Sequence, residues 1–321
     1  MNQLTAPLYI VVTVDCDPDD FDESVRGERK GSEPSWNGMQ RGSPIILETL
    51  QRLRDVDGKP ARVTWFVRAD NQIKRIYGDS AFLFSEYSEL WKTCAELRHE
   101  LGWHPHLYRF ENQSWVQERD ELRLTQILRE IHGDLRARGL RFSSSRIGDA
   151  YGSNAVLATL DELGISCDSS ALPGRSRSDS QRNFDWTQTP QLPYFPARSN
   201  YRASGTPCLN LLQVPMTMIP TQASYDPAPL LRYVDLTFHR RALQEGISAA
   251  IRNLPLLVTI MHPSSLLPNV GRPEHALLSF DPTAFKNNVD LIMKECTESG
   301  REFRFITMNE VRTHFGKRTD A

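Results

Sequence analysis

The chain has 321 residues, of which 38 are basic and 40 are acidic, so its formal net charge is −2. This balance excludes the positive field that draws proteins to nucleic acid or to an anionic membrane surface. Five cysteines, far apart and without a Cys-x-x-Cys pair, argue against a disulfide framework and favour a reducing compartment. We also find no secretion signal and no apolar run of about 20 residues. We therefore expect a soluble cytoplasmic protein without nucleic-acid partners or membrane insertion.

Short apolar segments alternate with segments of helical period, a pattern typical of a parallel α/β architecture. The predicted strands lie near residues 8–14, 62–67, 101–106, 144–147, 165–169, 209–216, 256–262 and 303–308. The predicted helices lie near residues 44–56, 84–98, 115–139, 153–163, 239–252 and 282–299. Two polar, turn-rich segments, 18–43 and 171–208, interrupt the alternation, and we expect them to be long loops. No linker clearly divides the chain, so we predict one domain over residues 1–321.

The first predicted strand ends in acid, in the stretch YIVVTVDCDPDD. Asp15 and Asp17 are two residues apart, and the period of a strand places both side chains on one face. A solvated turn with an Asp cap is the alternative explanation. The strand before the pair is too apolar for an edge strand, and ligands of a parallel barrel bind where strands end. We therefore favour a functional site.

Three other strand ends have side chains that suit the same chemistry. His104 and His106, in HELGWHPH, are also two residues apart, and neutral imidazoles beside a carboxylate suit zinc or a similar divalent ion. Two donors do not close such a site, so Asp17 is the predicted third ligand. Arg146 ends a short strand and could hold a carboxylate ionised, and His262 ends LLVTIMH. Each of these four strand ends could have such a side chain by chance, but chance is a poor explanation for all four together.

At these residues the sequence resembles the NodB-type polysaccharide deacetylases, the fourth family of carbohydrate esterases. The resemblance implies an α/β fold, an irregular (β/α)7 barrel. VTVDCD resembles the first motif of the family, in a variant with one residue between the two acids. That match implies that Asp15 is the base and Asp17 a metal ligand. HELGWHPH resembles the second motif, with His104 at its first histidine.

The later motifs are also similar. SSRIGDAYG resembles the third, which implies that Arg146 steadies the base. TIMHPSSLL resembles the last, which implies that His262 is the acid and that Leu266 or Leu267 lines the pocket for the acyl methyl. The fourth motif is weak, and FDW at residues 184–186 is the best candidate, with Asp185 as the partner of His262.

Two positions depart from the family pattern. The two metal histidines are usually four residues apart, and Tyr108 occupies that position here. We expect His106 to supply the second nitrogen instead, because a strand end places it beside His104. Gly148 stands in the third motif where a proline is common.

The resemblance implies a hydrolase that removes an N-acetyl or other N-acyl group from an amino sugar in a polysaccharide or its precursor. The expected cofactor is a divalent metal, most simply Zn²⁺, with Co²⁺, Mn²⁺ or Ni²⁺ as alternatives. Aromatic faces suit the apolar face of a sugar ring, so Tyr151 and Trp186 are candidate substrate platforms. Asp70, at the end of TWFVRAD, is a further candidate substrate contact.

Two other functions remain open from the sequence alone. A phosphatase of the haloacid dehalogenase type also opens with an apolar strand ending in Asp-x-Asp, although that chemistry has no use for His-x-His. A carbohydrate-binding protein on a catalytically altered deacetylase fold is the other alternative, because fold does not guarantee chemistry.

Overall fold

The computed structural model describes residues 6–19, 33–268 and 276–317, apart from the side chain of residue 245. The described strands are β1 (Leu8–Cys16), β2 (Val63–Arg68), β3 (Glu100–His104), β4 (Tyr108–Glu111), β5 (Ser114–Gln117), β6 (Ser144–Ser145), β7 (Cys167–Asp168), β8 (Ser176–Ser178), β9 (Asn183–Asp185), β10 (Pro196–Ala197), β11 (Asn200–Ser204), β12 (Leu212–Gln213), β13 (Met218–Thr221), β14 (Leu230–Asp235), β15 (Leu256–Ile260) and β16 (Phe303–Phe305). The described α-helices are α1 (Ser43–Gln51), α2 (Asn71–Tyr77), α3 (Phe82–Glu86), α4 (Ser88–Glu96), α5 (Glu121–Ala137), α6 (Asn154–Glu162), α7 (Arg240–Asn253), α8 (Pro282–Glu298) and α9 (Met308–Phe315).

The chain forms two compact units, each assembled from separate segments. The first unit comprises Met1–Asp19, Trp36–Thr64 and Met216–Thr307, and the second comprises Asp20–Ser35, Trp65–Pro215 and Met308–Ala321. The single domain expected from the sequence stays a prediction.

In the first unit, β1 lies between two parallel partners. Tyr9 pairs with Leu256 of β15, and Leu8 pairs with Phe303 of β16. The parallel strand β14 lies on the other side of β15, and β13 pairs with β14 in the antiparallel sense. Nearly all residues of β1 are buried, as in a strand whose two faces are both covered, which explains its continuous apolar run. Parallel pairing also places the carboxyl ends of β1, β14 and β15 at one edge of the sheet.

The second unit has its own series of parallel strands. β3, β6, β7 and β12 are neighbours in that order, and Trp103 pairs with Ser145 while Cys167 pairs with Ser144 and Leu212. β6 and β7 are only two residues long. Three antiparallel hairpins, β4–β5, β8–β9 and β10–β11, extend from this series. The carboxyl ends of the parallel strands again share one edge, where polar side chains gather.

The sequence prediction was wrong where it began the long helix at residue 115. Residues 114–117 form strand β5, which pairs with β4, and α5 begins only after Asp120, whose side chain accepts a hydrogen bond from Arg123 N at 3.0 Å. The predicted apolar stripe is confirmed from there on, because Leu124, Leu128, Ile131 and Leu135 are all buried. Gly139, with φ of 79°, ends the helix in the left-handed conformation that glycine adopts easily.

Where the structure describes them, the two segments predicted to be long loops contain regular secondary structure. Residues 20–32 of the first segment lie outside the described residues, but Gly38–Gly42 forms a π-helical turn. The carboxylate of Asp19 accepts hydrogen bonds from the N–H groups of Asn37 and Gly38, both at 2.7 Å. The second segment, 171–208, forms the hairpins β8–β9 and β10–β11 instead of a loop. Within the described ranges, every helix is too short or too polar to cross a membrane.

The close packing of β3 gives a test of the core. A Cβ at Gly102 would lie 2.7 Å from Phe66 Cδ1 and 2.8 Å from Ser144 Oγ, so Gly102→Ala should lower the free energy of unfolding by about 1–3 kcal/mol. Gly133 of α5 is a matched control, because nothing lies within 4 Å of its Cβ position and alanine favours the helix by up to about 1 kcal/mol. Urea denaturation should show effects of opposite sign, and losses of equal size would contradict the packing.

Candidate active site

Two acids lie at the carboxyl end of the central strand of the first unit. Asp15 is 4% exposed, and Asp17 directly after the strand is half buried. His262 follows the parallel neighbour β15, and its Nε2 lies 3.6 Å from Oδ2 of Asp17. The first unit therefore brings the predicted metal ligand and the predicted acid together.

Asp235 is a site residue that the sequence analysis missed. It ends β14, next to β15, and its Oδ1 accepts hydrogen bonds from Thr237 N at 2.8 Å and Thr237 Oγ1 at 2.6 Å. Its Oδ2 is buried without a hydrogen-bond partner. Burial raises the pKa of this carboxyl, whereas the nearby His262 lowers it and the Asp15 carboxylate adds to the rise. Asp235 therefore lies within electrostatic range of the proposed acid and base. An acid at the end of the alternating stretch YVD was its signal in the sequence.

Asp185, which the sequence analysis pairs with His262, has other partners. Its carboxylate accepts hydrogen bonds from Thr187 N at 3.0 Å and Thr187 Oγ1 at 2.7 Å, and it forms an ion pair with Arg202. The Thr187 hydrogen bonds and the Arg202 charge hold the pKa of Asp185 below its usual value. The carboxylates that interact with His262 are instead Asp17, at 3.6 Å, and Asp235, whose pKa the His262 charge lowers.

In the second unit, the two predicted histidine ligands face each other at the end of β3. Both are buried, and their Nε2 atoms lie 3.3 Å apart. Nδ1 of His104 lies 2.6 Å from the carbonyl oxygen of Arg146, and a carbonyl can only accept, so the proton of neutral His104 is on Nδ1. The Nε2 lone pair of His104 is thereby directed towards His106.

This arrangement fits a divalent metal ion. Zinc binds imidazole nitrogen at about 2.0–2.1 Å, and a tetrahedral angle then separates two such nitrogens by about 3.3–3.4 Å. The Nε2 atoms of His104 and His106 have that separation. A hydrogen bond from the other ring nitrogen to a carbonyl or similar group is also typical of metal-binding histidines.

Arg146 is fixed rigidly beside the histidines. It is 1% exposed, its Nε donates to the carbonyl oxygen of Ser169 and its Nη2 to Ser169 Oγ, both at 3.0 Å, and its guanidinium stacks on Phe66 at 4.4 Å. Asp168, on the adjoining strand, accepts hydrogen bonds from the hydroxyls of Ser145 and Ser170, both at 2.9 Å. Burial nevertheless raises the pKa of Asp168. The contacts with Ser169 and Phe66 therefore hold the guanidinium of Arg146 in one orientation.

Asp70 lies in the interior of the second unit. It has no exposed surface, and its Oδ2 lies 2.9 Å from Arg68 Nε, which is also fully buried. The same oxygen accepts a hydrogen bond from His106 N at 3.1 Å, while Oδ1 caps α2 through Ile73 N at 2.9 Å. Asp70 therefore positions the backbone of His106, and its contact with a substrate stays a prediction.

The predicted aromatic platforms are also buried. Trp186 has no exposed surface, its Nε1 donates to the carbonyl oxygen of Ala150 at 2.7 Å, and it packs edge-on against Tyr201. Trp186 therefore packs in the interior of the second unit, and its role as a sugar platform stays a prediction. Tyr151 is 5% exposed, and burial raises the pKa of its hydroxyl.

The two leucines after His262 differ in exposure. Leu266 is 1% exposed, whereas Leu267 is partly exposed. Leu267 therefore has more surface to offer an acyl group.

No family model and no curated protein matches the sequence, but solved structures do. One is assigned as a polysaccharide deacetylase from Mycobacterium smegmatis, with 15% identity, a TM-score of 0.50, and coverage of 97% of this chain and 90% of that chain. Another is a 4-α-glucanotransferase from Thermococcus litoralis, with 10% identity, a TM-score of 0.49, and coverage of 98% and 41%. A third is a CE4 family pseudoenzyme from Bacillus anthracis, with 10% identity, a TM-score of 0.39, and coverage of 94% and 64%.

The likeness to the mycobacterial protein shows the fold. The chain has the α/β fold of the NodB-type polysaccharide deacetylases, which confirms the fold class predicted from its motifs. At this level of identity the likeness shows the fold alone, so the activity has to be argued from the side chains.

The buried pair of Asp70 and Arg68 gives one test of the site. Asp70→Asn removes a charge that the buried guanidinium needs, and we expect the free energy of unfolding to fall by about 3–5 kcal/mol. Asp57→Asn is the control, because Asp57 pairs with Arg304 at the surface, and it should cost much less. Urea denaturation compares the two, and equal losses would contradict the structural role of Asp70.

Asp235 and Asp185, whose pKa values are shifted in opposite directions, give a second test. Burial raises the pKa of Asp235 above its usual 3.8, so the folded state loses stability as pH rises through that higher value. Asp235→Asn should therefore gain stability relative to the wild type as pH rises above about 4. Asp185 has a lowered pKa, so its stabilisation is present above 3.8 and is lost as pH falls. Asp185→Asn should accordingly be less stable than the wild type by a constant amount above about pH 4, and this deficit should shrink as pH falls below about 4. A deficit that shrinks below about pH 4 for Asp235→Asn, or a dependence above about pH 4 for Asp185→Asn, would contradict these assignments.

Proposed function

We propose that the protein is a metal-dependent hydrolase that removes an N-acetyl or other N-acyl group from an amino sugar. The observation that supports this most strongly is the pair of Nε2 atoms of His104 and His106, buried and 3.3 Å apart. Asp17 is the proposed third protein ligand, since two imidazoles and a carboxylate form a donor set that suits a divalent ion. Zn²⁺ is the ion that this donor set favours, and the remaining position is left for water and substrate.

In the proposed reaction, the metal ion would activate the substrate and water, and side chains of the protein transfer the protons. A divalent ion held by these residues would supply Lewis acidity, which polarises an amide carbonyl and makes water easier to deprotonate. Asp15 is the proposed base and takes a proton from the water that attacks the carbonyl carbon. His262 is the proposed acid and gives a proton to the nitrogen as the carbon–nitrogen bond breaks. The products are a carboxylic acid and the free amine of the sugar.

Two further residues are proposed to support this proton transfer. Arg146, fixed by Ser169, offers a positive charge that can orient the carboxylate of Asp15. The ionised form of Asp235 can balance an imidazolium at His262, whose charge in turn favours ionisation of that carboxyl. The half-buried Leu267 is the proposed contact for the acyl methyl.

The proposed substrate is a carbohydrate, namely a bacterial surface polysaccharide or its precursor, and the proposed location is the cytoplasm. Acetate or formate release from small N-acetylated and N-formylated sugars is the assay that identifies the acyl group and the sugar.

The metal assignment predicts different outcomes for variants of the proposed ligands and for a variant of the proposed acid. Asp17→Ala and His106→Ala should lose the bound metal, because three protein ligands fall to two. His262→Ala should keep the metal but lose about 10²–10⁴-fold in rate, because a general acid contributes about that much. Metal content by elemental analysis and acid release are measured on the same preparations, and a chelator followed by added zinc should abolish and restore the rate.

His314→Ala, in α9, is the control and should keep both the metal and the activity. Metal retained in both Asp17→Ala and His106→Ala would overturn the ligand set. Sugar binding without metal and without acid release would instead indicate a catalytically altered binding protein.

A further inference from the structure

The orientation of His106 depends on a tyrosine two residues further along the chain. Tyr108 begins β4 and is 1% exposed, and its hydroxyl lies 2.9 Å from Nδ1 of His106. The same hydroxyl lies 2.8 Å from Oδ2 of Asp149. A continuous line of hydrogen bonds therefore joins His106 to a carboxylate.

A hydroxyl next to Nδ1 does not by itself decide where His106 has its proton. The carbonyl beside His104 can only accept, but a phenol can donate or accept, so either tautomer of His106 could bond to Tyr108. The phenol has one proton, and a carboxylate can only accept it. Because Tyr108 donates to Asp149, its oxygen is left to accept from Nδ1–H of His106. Nε2 of His106 then has the lone pair.

Asp149 is itself held in place. Its side chain is 4% exposed, and its Oδ1 lies 2.8 Å from Nε of Arg182 in an ion pair. Its backbone has φ of 55°, in the left-handed region that aspartate tolerates better than most residues with a Cβ. The carboxylate therefore accepts the hydrogen bond of the Tyr108 hydroxyl from a fixed position.

The imidazole ring of His106 is confined from its other side by Gly148. A Cβ at Gly148 would lie 2.1 Å from Cδ2 and 2.4 Å from Nε2 of His106, so only glycine leaves room for the ring. Gly148 N also donates to the carbonyl oxygen of Pro105 at 2.9 Å, which holds the glycine against this segment.

We propose that Tyr108 and Asp149 are positioning residues that fix the tautomer of His106, so that its Nε2 lone pair faces that of His104. Two lone pairs 3.3 Å apart repel each other, and a shared cation relieves the repulsion. The metal part of this proposal depends on the proposed function, whereas the tautomer is a property of the metal-free chain.

Tyr108→Phe tests the proposal, because it removes the acceptor of Nδ1–H and little else. Zinc affinity, measured by competition with a chromophoric chelator, should fall about 10–100-fold, as for other partners of metal-binding histidines. Nitrogen NMR of the metal-free wild type at about pH 8, where imidazoles are neutral, should show the His106 proton on Nδ1. Tyr108→Phe should shift that proton distribution towards Nε2.

Two further variants control the test. Tyr194→Phe removes another buried tyrosine hydroxyl, which donates to the carbonyl oxygen of Tyr201 at 2.8 Å, and it should change neither measurement. Asp149→Asn keeps the shape but offers Tyr108 an amide that can donate, so it should also shift the His106 proton towards Nε2. It covers the case in which Tyr108→Phe does not fold.

The outcomes separate the two proposals. A metal-free wild type with the His106 proton on Nε2, or zinc affinity unchanged in Tyr108→Phe, would overturn the role of Tyr108. A wild type that binds no zinc but has the His106 proton on Nδ1 would contradict the metal-dependent function and still support the role of Tyr108 and Asp149.

Discussion

The facing Nε2 atoms of His104 and His106 are the constraint around which the second unit is arranged. Two buried nitrogens at 3.3 Å repel each other unless a cation or a proton lies between them, so the surrounding structure has to hold them there. A backbone carbonyl fixes one ring, Asp70 fixes the backbone of the other, and glycine at position 148 leaves space for its ring. Such an arrangement costs stability, which is typical of sites that are prepared for a ligand before it binds.

Each unit also has a buried carboxyl at the carboxyl end of one of its own strands. Asp235 and Asp168 are both fully buried, and burial raises the pKa of each. Their environments differ, because Asp168 is surrounded by hydroxyl donors whereas Asp235 keeps one oxygen without a hydrogen-bond partner. A satisfied buried carboxyl is what a structural role requires, and an unsatisfied one beside a histidine is more typical of a functional site. This contrast is the physical reason to assign a function to Asp235 and not to Asp168.

The central strands and the site residues at their ends could be predicted from the sequence, because strands buried on both faces have a continuous apolar pattern. β1 and β15 were predicted within two residues of their ends, and with them Asp15, Asp17 and His262. β14 was missed because its first four residues are partly or fully exposed, which weakens the apolar pattern that identifies a buried strand. Asp235 was therefore missed with it. Most of β5 was assigned to the predicted helix, since Trp115 and Val116 continue its apolar pattern, and β4 was not predicted at all.

The departure from the family spacing has a physical explanation in this chain. A second histidine four residues after His104 would occupy the position of Tyr108, at the start of the hairpin strand β4. With His106 as the proposed ligand instead, the phenol at that position accepts a hydrogen bond from its Nδ1–H and donates one to Asp149. The residue that departs from the motif thus has a role beside the histidine that replaces it. We therefore interpret the short spacing between the histidines and the tyrosine two residues further on as parts of one arrangement. A comparison with the motif that treats each position separately would count both as mismatches.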